Sequence, residues 1–222
     1  DIYCPSTMWV GGICGDSSSY FNRCYVSGKI TGTITGGIAG AISASDCSSE
    51  DSMFLNCRND ADIDSSCLTG GIAGAIINGR IENCISTGKL TGTETVGGIA
   101  GNIIAVGALG SPYIDIIPTR VINCISTHNI IGSRTPSYSD DTIVIIGDPD
   151  VELDKNLYTS LVTNCYYSGD FKSGIACDKC DTPITKVEKT DEALFKKASF
   201  YSDSSRWDNT KPWDKNIWKI TD

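Results

Sequence analysis

Apolar or small residues alternate with polar ones along most of the chain, and the alternation returns in copies. The clearest copy runs Asn83-Cys84-Ile85-Ser86-Thr87-Gly88-Lys89-Leu90-Thr91-Gly92 and is followed by Val96-Gly97-Gly98-Ile99-Ala100-Gly101. A period of two places alternate residues on one face of a strand, so each copy predicts two extended arcs. Cysteines equivalent to Cys84 recur 27 to 41 residues apart, a spacing that is typical of a solenoid or another repeat array.

The first arc is marked by its cysteine and by an apolar residue six positions later. Even offsets share a face, so both residues are expected to point inward, with a bend between them at a small residue. The cysteines should form a ladder through neighbouring coils. The ladder comprises Cys24, Cys57, Cys84, Cys124 and Cys165, and the apolar partners are Ile30, Ile63, Leu90, Ile130 and Phe171.

The second arc carries a glycine pair and again has a period of two. Its inward positions are Ile38, Gly40 and Ile42, then Ile72, Gly74 and Ile76, then Ile99, Gly101 and Ile103. The strand at 142–147 replaces this arc in the fourth copy, with Ile145 in the place of Ile99. Arcs of fixed length and one corner of variable length predict a coil whose loops are inserted on one side.

These copies resemble the GLUG motif of bacterial surface proteins, whose repeats read approximately Asn-Cys-Tyr-x-x-Gly-x-Val-x-Gly followed by Gly-Gly-Leu-Val-Gly. The resemblance covers about residues 9 to 175. It implies an all-β fold, a right-handed parallel β-helix, on a cell surface, and it brings no catalytic residues with it. We therefore expect a β-solenoid at 1–175, decorated with loops from about residue 109.

Residues 176–222 are expected to form a C-terminal capping segment. A capping Thr190 or Asp191 before acidic residues, with lysines near the end, predicts a short helix over 190–198. Three tryptophans, Trp207, Trp213 and Trp218, lie within 12 residues. They predict an aromatic lid over the open end of the coil, where unpaired strands would otherwise invite aggregation.

The charge balance is acidic, with 18 Lys and Arg residues against 27 Asp and Glu residues and a net charge of −9. Nucleic acids and anionic membranes bind clusters of basic residues, so neither is expected as a partner. The most apolar window, 99–109, is too short to cross a bilayer. The first copy, at 9–15, is a half-copy, which suggests a mature fragment or a domain cut from a longer surface protein, and we expect the chain outside the cell or on its surface.

Six cysteines lie outside the ladder. Their even number permits pairing of Cys4 with Cys14, Cys47 with Cys67, and Cys177 with Cys180, among 15 connectivities. The Cys177-Asp178-Lys179-Cys180 turn favours a structural disulfide over half a zinc site or a redox pair, because no second cysteine or histidine pair accompanies it. Ladder cysteines should stay free, since stacked strands are about 4.8 Å apart and a disulfide needs Cβ atoms about 3.8 Å apart.

An acidic stretch is the best candidate for a metal site. Its four acids are Asp148, Asp150, Glu152 and Asp154. They alternate as in the first half of a calcium loop, but Leu153 and Thr159 stand where such a loop needs glycine and glutamate. A solvated acidic loop is therefore the preferred interpretation, with calcium as the alternative, and neither a metal nor a cofactor is predicted.

Catalytic candidates are few. His128 is the sole histidine, and no serine elbow or reactive-cysteine context accompanies it, so we interpret it as an exposed or capping residue. Arg134, Asp140 and Asp141 lie on inserted loops, where they could serve a polysaccharide lyase or glycoside hydrolase. The sequence does not place these three residues on one face of a strand.

The preferred hypothesis is a non-enzymatic adhesin or stalk module. It would bind a protein or glycan on another cell or in the matrix through loops at 110–118, 132–141 and 148–156. One alternative is a polysaccharide-active β-helix enzyme. The other is a structural subunit that assembles end to end through its exposed strand edges.

Overall fold

Parallel β-strands make up most of the fold. The computed structural model describes residues 1–43, 53–77, 79–104, 119–127, 129–132, 143–150, 161–169, 173–175, 184–207 and 213–219. Helix within these residues is limited to a 3-10 segment, Glu192–Lys196, and an α-helical segment α1, Ala198–Ser202. The chain is therefore an all-β protein with parallel strands.

The described strands form four sheets, which we name A to D. Sheet A contains, in spatial order, β1 (Ile2–Tyr3), β6 (Lys29–Gly32), β11 (Asp62–Ser65), β16 (Lys89–Gly92) and β21 (Asn129–Gly132). Sheet B contains β2 (Trp9–Gly11), β7 (Ile34–Gly36), β12 (Leu68–Gly70) and β17 (Thr95–Gly97). Sheet C contains β3 (Cys14–Ser17), β8 (Ala39–Ser43), β13 (Ala73–Ile77), β18 (Ala100–Ile104), β22 (Ile143–Asp150) and β24 (Ser173–Ile175).

Sheet D has two ladders joined by one long strand. The first ladder is β4 (Phe21–Asn22), β9 (Met53–Leu55), β14 (Arg80–Glu82) and β19 (Arg120–Ile122). The second is β5 (Tyr25–Val26), β10 (Arg58–Asn59), β15 (Ile85–Ser86) and β20 (Ile125–Ser126). The long strand β23 (Leu161–Tyr167) pairs with the last strand of both ladders, and β25 (Ile184–Lys189) pairs with β23.

The register of the strands follows the sequence repeat. Arg58 lies opposite Tyr25 on one side and Ile85 on the other, which are the offsets given by aligning the cysteines. Ala100 lies opposite Ile146, so β22 replaces the glycine-pair arc in the register that the sequence predicts. The predicted parallel pairing of successive repeats is confirmed.

One continuous core lies between the sheets. Ile38, Ile72 and Ile99 of the second arc are fully buried, as are the ladder residues Cys57, Cys84, Cys124 and Cys165. The apolar partners Ile30, Ile63, Leu90 and Ile130 are also buried, whereas Phe171 lies outside the described residues. Cys24 is only half-buried, because it directly precedes β5, the first rung of its ladder, which pairs on one side only among the described strands.

Glycine lets sheets B and C approach each other closely. A Cβ atom at Gly74 would lie 2.6 Å from the carbonyl oxygen of Gly40 and 2.9 Å from the backbone nitrogen of Thr35. Real Cβ atoms do not come this near to backbone, so no side chain fits at that position. The glycines of the second arc are therefore required by packing.

A left-handed turn precedes each ladder cysteine. The residues there have positive φ angles: Arg23 at 61°, Asn56 at 55°, Asn83 at 51°, Asn123 at 55° and Asn164 at 50°. Asparagine tolerates this conformation better than most residues, which explains the recurring Asn-Cys pair. In addition, the side-chain nitrogen of Asn123 donates to the side-chain oxygen of Asn83 at 3.1 Å.

The repeat extends one rung further than the sequence analysis predicts. Strand β25 places Val187 opposite Cys165, and Lys186 has the positive φ of 60° that asparagine has in earlier copies. Neither residue keeps the Asn-Cys signature, so the sequence pattern hides this rung. The predicted boundary between 175 and 176 stays a prediction.

Within the predicted helix over 190–198 the structure has a 3-10 segment, Glu192–Lys196, and α1 begins at the last residue of that range, Ala198. The side chain of Asp191 accepts a hydrogen bond from the backbone of Ala193 at 2.9 Å and caps the 3-10 segment, as expected of one of the two proposed caps. Lys197 is extended, with φ of −106° and ψ of 128°, and separates this segment from α1. The two helical segments are therefore separate and do not form one continuous helix.

Candidate functional site

The residue after each ladder cysteine points to the outer face of sheet D, because successive residues of a strand alternate between faces. The outer row that results comprises Tyr25, Arg58, Ile85, Ile125 and Tyr166, each opposite the next. Tyr25 is 59% exposed, whereas Ile125 and Tyr166 are fully buried. One end of the row is therefore open and the other is covered.

The C-terminal tail, described at residues 190–207 and 213–219, covers the apolar end of the outer row. Ile85, Ile125 and Tyr166 form a second apolar cluster with Phe195, Phe200, Trp207 and Trp213. The predicted lid over the open end of the coil is therefore wrong. The tail packs along the side of the stack, because the outward apolar residues offer it a surface to bury.

Ring contacts and hydrogen bonds fix the tail in place. The Tyr166 ring lies 5.1 Å from Trp207 in an edge-to-face arrangement, and its hydroxyl donates to the backbone oxygen of Arg206 at 3.0 Å. Burial raises the pKa of Tyr166 to about 12. At the other end, Trp218 packs on Trp213 with ring centroids 4.9 Å apart, and its indole nitrogen donates to the Asn56 side chain at 3.4 Å.

A groove of about 490 Å³ remains between the tail and the first two rungs of sheet D. Sheet D forms one wall and the tail forms the other. The lining residues are Arg23, Cys24, Tyr25, Asn56, Arg58, Ile85, Phe195, Lys196, Tyr201, Ile217, Trp218 and Lys219. We name this feature the wall groove.

Positive charge and aromatic rings distinguish the wall groove. Arg23, Arg58, Lys196 and Lys219 line it, and no carboxylate is among its described lining residues, although the chain as a whole has a net charge of −9. Within the described part of the chain, no ion pair forms with Arg23 or Lys219. Arg58 is paired with Asp60 at 2.8 Å, and Lys196 lies 3.6 Å from Glu192 in a looser pair.

Asp60 orients the floor of the groove. Its carboxylate accepts hydrogen bonds from the Arg58 Nε at 2.8 Å, from the Thr87 hydroxyl at 2.7 Å and from the Tyr25 hydroxyl at 3.2 Å. Burial by itself would raise the pKa of Asp60, but these donors hold it below its ordinary value. The ionised Asp60 thereby fixes Arg58 and Tyr25, and the hydrogen bond that Arg58 donates to Asp60 raises the pKa of Arg58.

The ladder cysteines lie together inside the stack. The backbone nitrogen of Cys57 donates to the sulfur of Cys84 at 3.4 Å, and each of the four buried thiols lies near a backbone carbonyl. Burial raises the pKa of Cys84 and Cys165 well above the ordinary value. These thiols behave as small apolar side chains.

The proposed disulfide between Cys4 and Cys14 is wrong, because both are free thiols on different sheets. Cys4 follows β1 and donates its backbone nitrogen to Thr31 in sheet A, whereas Cys14 begins β3 in sheet C. Cys67 is also free, so it does not pair with Cys47, which lies outside the described residues.

Several predicted sites fall outside the described residues. These are Cys177 and Cys180, the calcium candidates Glu152 and Asp154, the candidates His128, Arg134, Asp140 and Asp141, and the loop at 110–118. Asp148 and Asp150 belong to β22, for which only the strand is described. In the described ranges, no group of three or more potential ligands could hold a metal ion.

Comparisons with protein-family models, curated proteins and solved structures find no match. The resemblance to the GLUG motif thus rests on the repeat itself. Neither helical segment of the described chain, at five residues each, has the length and apolar character needed to cross a bilayer.

Sequence reasoning missed the wall groove, although part of the signal was present. The residue after the ladder cysteine changes from tyrosine and arginine in the first two copies to isoleucine in the next two. That change marks where the outer face passes from open to covered. The contributions of Lys196, Trp218 and Lys219 depend on how the tail folds back, which no local pattern reports.

Proposed function

We propose that this chain is a non-enzymatic binding module of a secreted or cell-surface protein. It is built as a right-handed β-solenoid of repeats that resemble the GLUG motif, and the wall groove is its binding site. The observation that carries this proposal is the groove itself, a concave surface whose polar and aromatic residues are held in place before any ligand arrives.

Strand pairing supports the solenoid. In each of the four sheets a strand pairs in parallel with its equivalent in the next repeat, which is what a coiling chain produces. Crossovers between parallel strands of one sheet are nearly always right-handed, because the strand twist favours that hand. The same preference supports a right-handed coil here.

The chemistry of the groove favours binding over cleavage. Glycosidases need two carboxyl groups about 5 to 9.5 Å apart at the scissile bond. The described lining residues of the wall groove include none, and the neighbouring Asp60 is occupied by three donors. A ligand placed there would be held by cations and aromatic rings.

Tryptophan fluorescence tests the proposal directly. Trp207 and Trp213 are buried, whereas Trp218 lines the groove. A panel of oligosaccharides and peptides should include a ligand that changes the emission in a saturable manner. The Trp218→Phe variant should abolish the change, while Trp9→Phe, in sheet B, should retain it, and chromatography should recover the ligand intact.

Two results would reject the proposed function. If the change in emission is lost in Trp9→Phe and retained in Trp218→Phe, the ligand binds outside the wall groove. Cleaved products formed by purified protein would identify a polysaccharide-active enzyme, as the alternative interpretation of the repeat requires.

End-to-end assembly is a second candidate function, favoured by the edge at which the first strands lie. Among the described strands, β1, β2, β3 and β4 each begin their sheet or ladder and pair on one side only. Large apolar residues are exposed in the same region, including Tyr3 at 78%, Met8 at 60% and Ile13 at 47%. Unpaired strand edges with apolar side chains promote association.

Sedimentation at increasing protein concentration tests assembly. The mass should rise with concentration, and the double variant Met8→Lys/Ile13→Lys should remain monomeric, because charges on an edge oppose pairing. A monomer at every concentration in the unmodified protein would eliminate this candidate.

A further inference from the structure

The wall groove places positive charge on an acidic protein, and the charge comes from both of its sides. Arg23 and Arg58 belong to the first two rungs of sheet D, while Lys196 and Lys219 belong to the tail. From these features we infer that the ligand of the groove is an acidic carbohydrate, a chain of sugars that bear carboxylate or sulfate groups. This inference rests on the proposed function of the groove as a binding site.

The positions of the cations suit an extended anion. Arg23 belongs to the first rung and Arg58 to the second, so the two arginines place positive charge at different points along the stack. The planar guanidinium group can donate two parallel hydrogen bonds to a carboxylate or a sulfate. Asp60 accepts the hydrogen bonds of the Arg58 Nε, so a ligand would bind Arg58 through its other two nitrogens.

Aromatic rings complete the match to a sugar. Tyr25 is exposed on the sheet side, and Trp218 and Tyr201 lie on the tail side of the same groove. The face of a sugar ring carries C–H groups that pack on aromatic rings and exclude water. A simple inorganic anion would use the cations alone and leave these rings in water.

An acidic peptide fits this wall less well. Peptides that bind sheets gain affinity from main-chain hydrogen bonds to a free strand edge. Strand β10 is paired on both sides, with β5 and β15, and the outermost strand β5 is only two residues long. Side-chain recognition of a sugar chain does not need such an edge.

Calorimetry with defined probes tests the inference. The probes are an oligogalacturonate, a heparin-derived oligosaccharide, a neutral galactan oligosaccharide of the same length and a polyglutamate peptide. At least one acidic oligosaccharide should bind about tenfold or more tightly than the neutral one, because hydrogen bonds to charged groups would be lost. Added salt should weaken that binding by screening the charges.

A matched pair of variants assigns the binding to the groove. Arg23→Asn/Lys219→Gln removes two cations, and asparagine retains the left-handed turn because the four later copies carry it. Lys29→Gln/Lys89→Gln removes the same charge from the outer face of sheet A. The first variant should lose about tenfold or more in affinity for the acidic oligosaccharide, and the second less than about twofold.

The possible outcomes separate this inference from the proposed function. If a neutral oligosaccharide binds equally well and its binding depends on Trp218, the inference of an acidic ligand is wrong, but the proposed function of the groove as a binding site is retained. Polyglutamate binding as tight as that of the acidic oligosaccharides, or equal losses in both double variants, would overturn it as well. If none of the four probes binds, the inference is wrong, and the fluorescence panel then decides the proposed function.

Discussion

The inner and outer rows of the same strands follow opposite rules. Cys84 and Ile85 are neighbours on the chain, yet the inner position is cysteine in every rung from Cys57 to Cys165 while the outer position changes at almost every step. Inner residues pack against their own equivalents in the next rung, so one size fits throughout. Outer residues meet water, the tail or a ligand, and each rung can therefore differ.

This contrast separates architecture from specificity. Repeated residues, including the glycines between sheets B and C, set the shape of the stack. The residues that vary, Tyr25 and Arg58 against Ile85 and Ile125, decide which part of the wall the tail covers. Function in this chain is thus expected where the repeat is least regular.

The largest effect should come from placing the same charge on the inner and the outer face of one strand of sheet A. Ile130 and Ile131 are adjacent on β21, and the first is 8% exposed while the second is 47% exposed. Ile130→Asp should destabilise the protein by about 3 kcal/mol or more, because a buried carboxylate without a partner is costly. Ile131→Asp should change stability by less than about 1 kcal/mol.

Urea unfolding followed by circular dichroism measures both variants. The unmodified protein and the two variants should show similar slopes, with a large midpoint shift for Ile130→Asp only. Equal shifts for the neighbouring substitutions would mean that the assignment of inner and outer faces is incorrect.

Removing the tail should have the next largest effect. A chain ending at Lys189 would expose Ile85, Ile125 and Tyr166 to water. The main core is a separate cluster, so strand content should persist while the protein binds hydrophobic dyes and aggregates. Circular dichroism, dye fluorescence and light scattering measure these changes.

A repaired variant sharpens the result. Replacing Ile85, Ile125 and Tyr166 with threonine in the shortened chain keeps strand propensity and makes the outer row polar. The repaired protein should stay monomeric. A shortened chain that is soluble without repair would show that the tail covers little apolar surface.

The left-handed turn that sets the two rows should have a smaller effect. Asn123 has φ of 55° and donates to Asn83. Both Asn123→Ala and Asn123→Gly remove the side-chain hydrogen bond, but only alanine is strained in this conformation. Asn123→Ala should therefore be less stable than Asn123→Gly by about 1 kcal/mol.

Thermal unfolding of the two variants measures that difference directly. As a control, Cys124 should stay on the inner face and Ile125 on the outer face in both variants. If the glycine variant is the less stable one, entropy of the unfolded chain outweighs the turn strain.

Periodicity reported the inner row well and the outer row poorly. The in-and-out order around Cys84 and Leu90 follows from a period of two, and the register of β22 with β18 follows from aligning Ile145 with Ile99. The alternation and the register recur across the copies, so both can be recognised even where a single copy varies. The parallel all-β class was therefore predictable.

The position of the tail was harder to predict from the sequence, because the surface on which it packs is made of single residues from different copies. Ile85, Ile125 and Tyr166 form a patch only once the rungs are stacked. The unpaired end of the coil was the more obvious apolar surface, so the three tryptophans were assigned to it. Strand β25 was missed since Lys186 and Val187 do not keep the signature of the earlier copies.

The smallest and most local test compares two thiols, one inside and one outside. Cys84 is fully buried, whereas Cys67 is half-buried and its sulfur donates to Glu94 at 3.0 Å. Burial and the neighbouring Glu94 raise the pKa of Cys67 to about 11. The thiolate is the reactive form, so at pH 8 only about one Cys67 thiol in a thousand is ready to react.

Removing the Glu94 charge should therefore lower the pKa of Cys67 and increase its thiolate fraction. Alkylation of native Glu94→Gln protein at pH 8, followed site by site with mass spectrometry, should modify Cys67 several-fold faster than in the unmodified protein. Cys84 should stay unmodified in both proteins until they are unfolded, because the reagent cannot reach it.

The control variant Glu192→Gln removes the same charge from the exposed tail and should leave the alkylation rate of Cys67 unchanged. Labelling of Cys84 at the rate of Cys67 would contradict the inner assignment, and an unchanged Cys67 rate in Glu94→Gln would leave burial as the sole cause of its slow reaction.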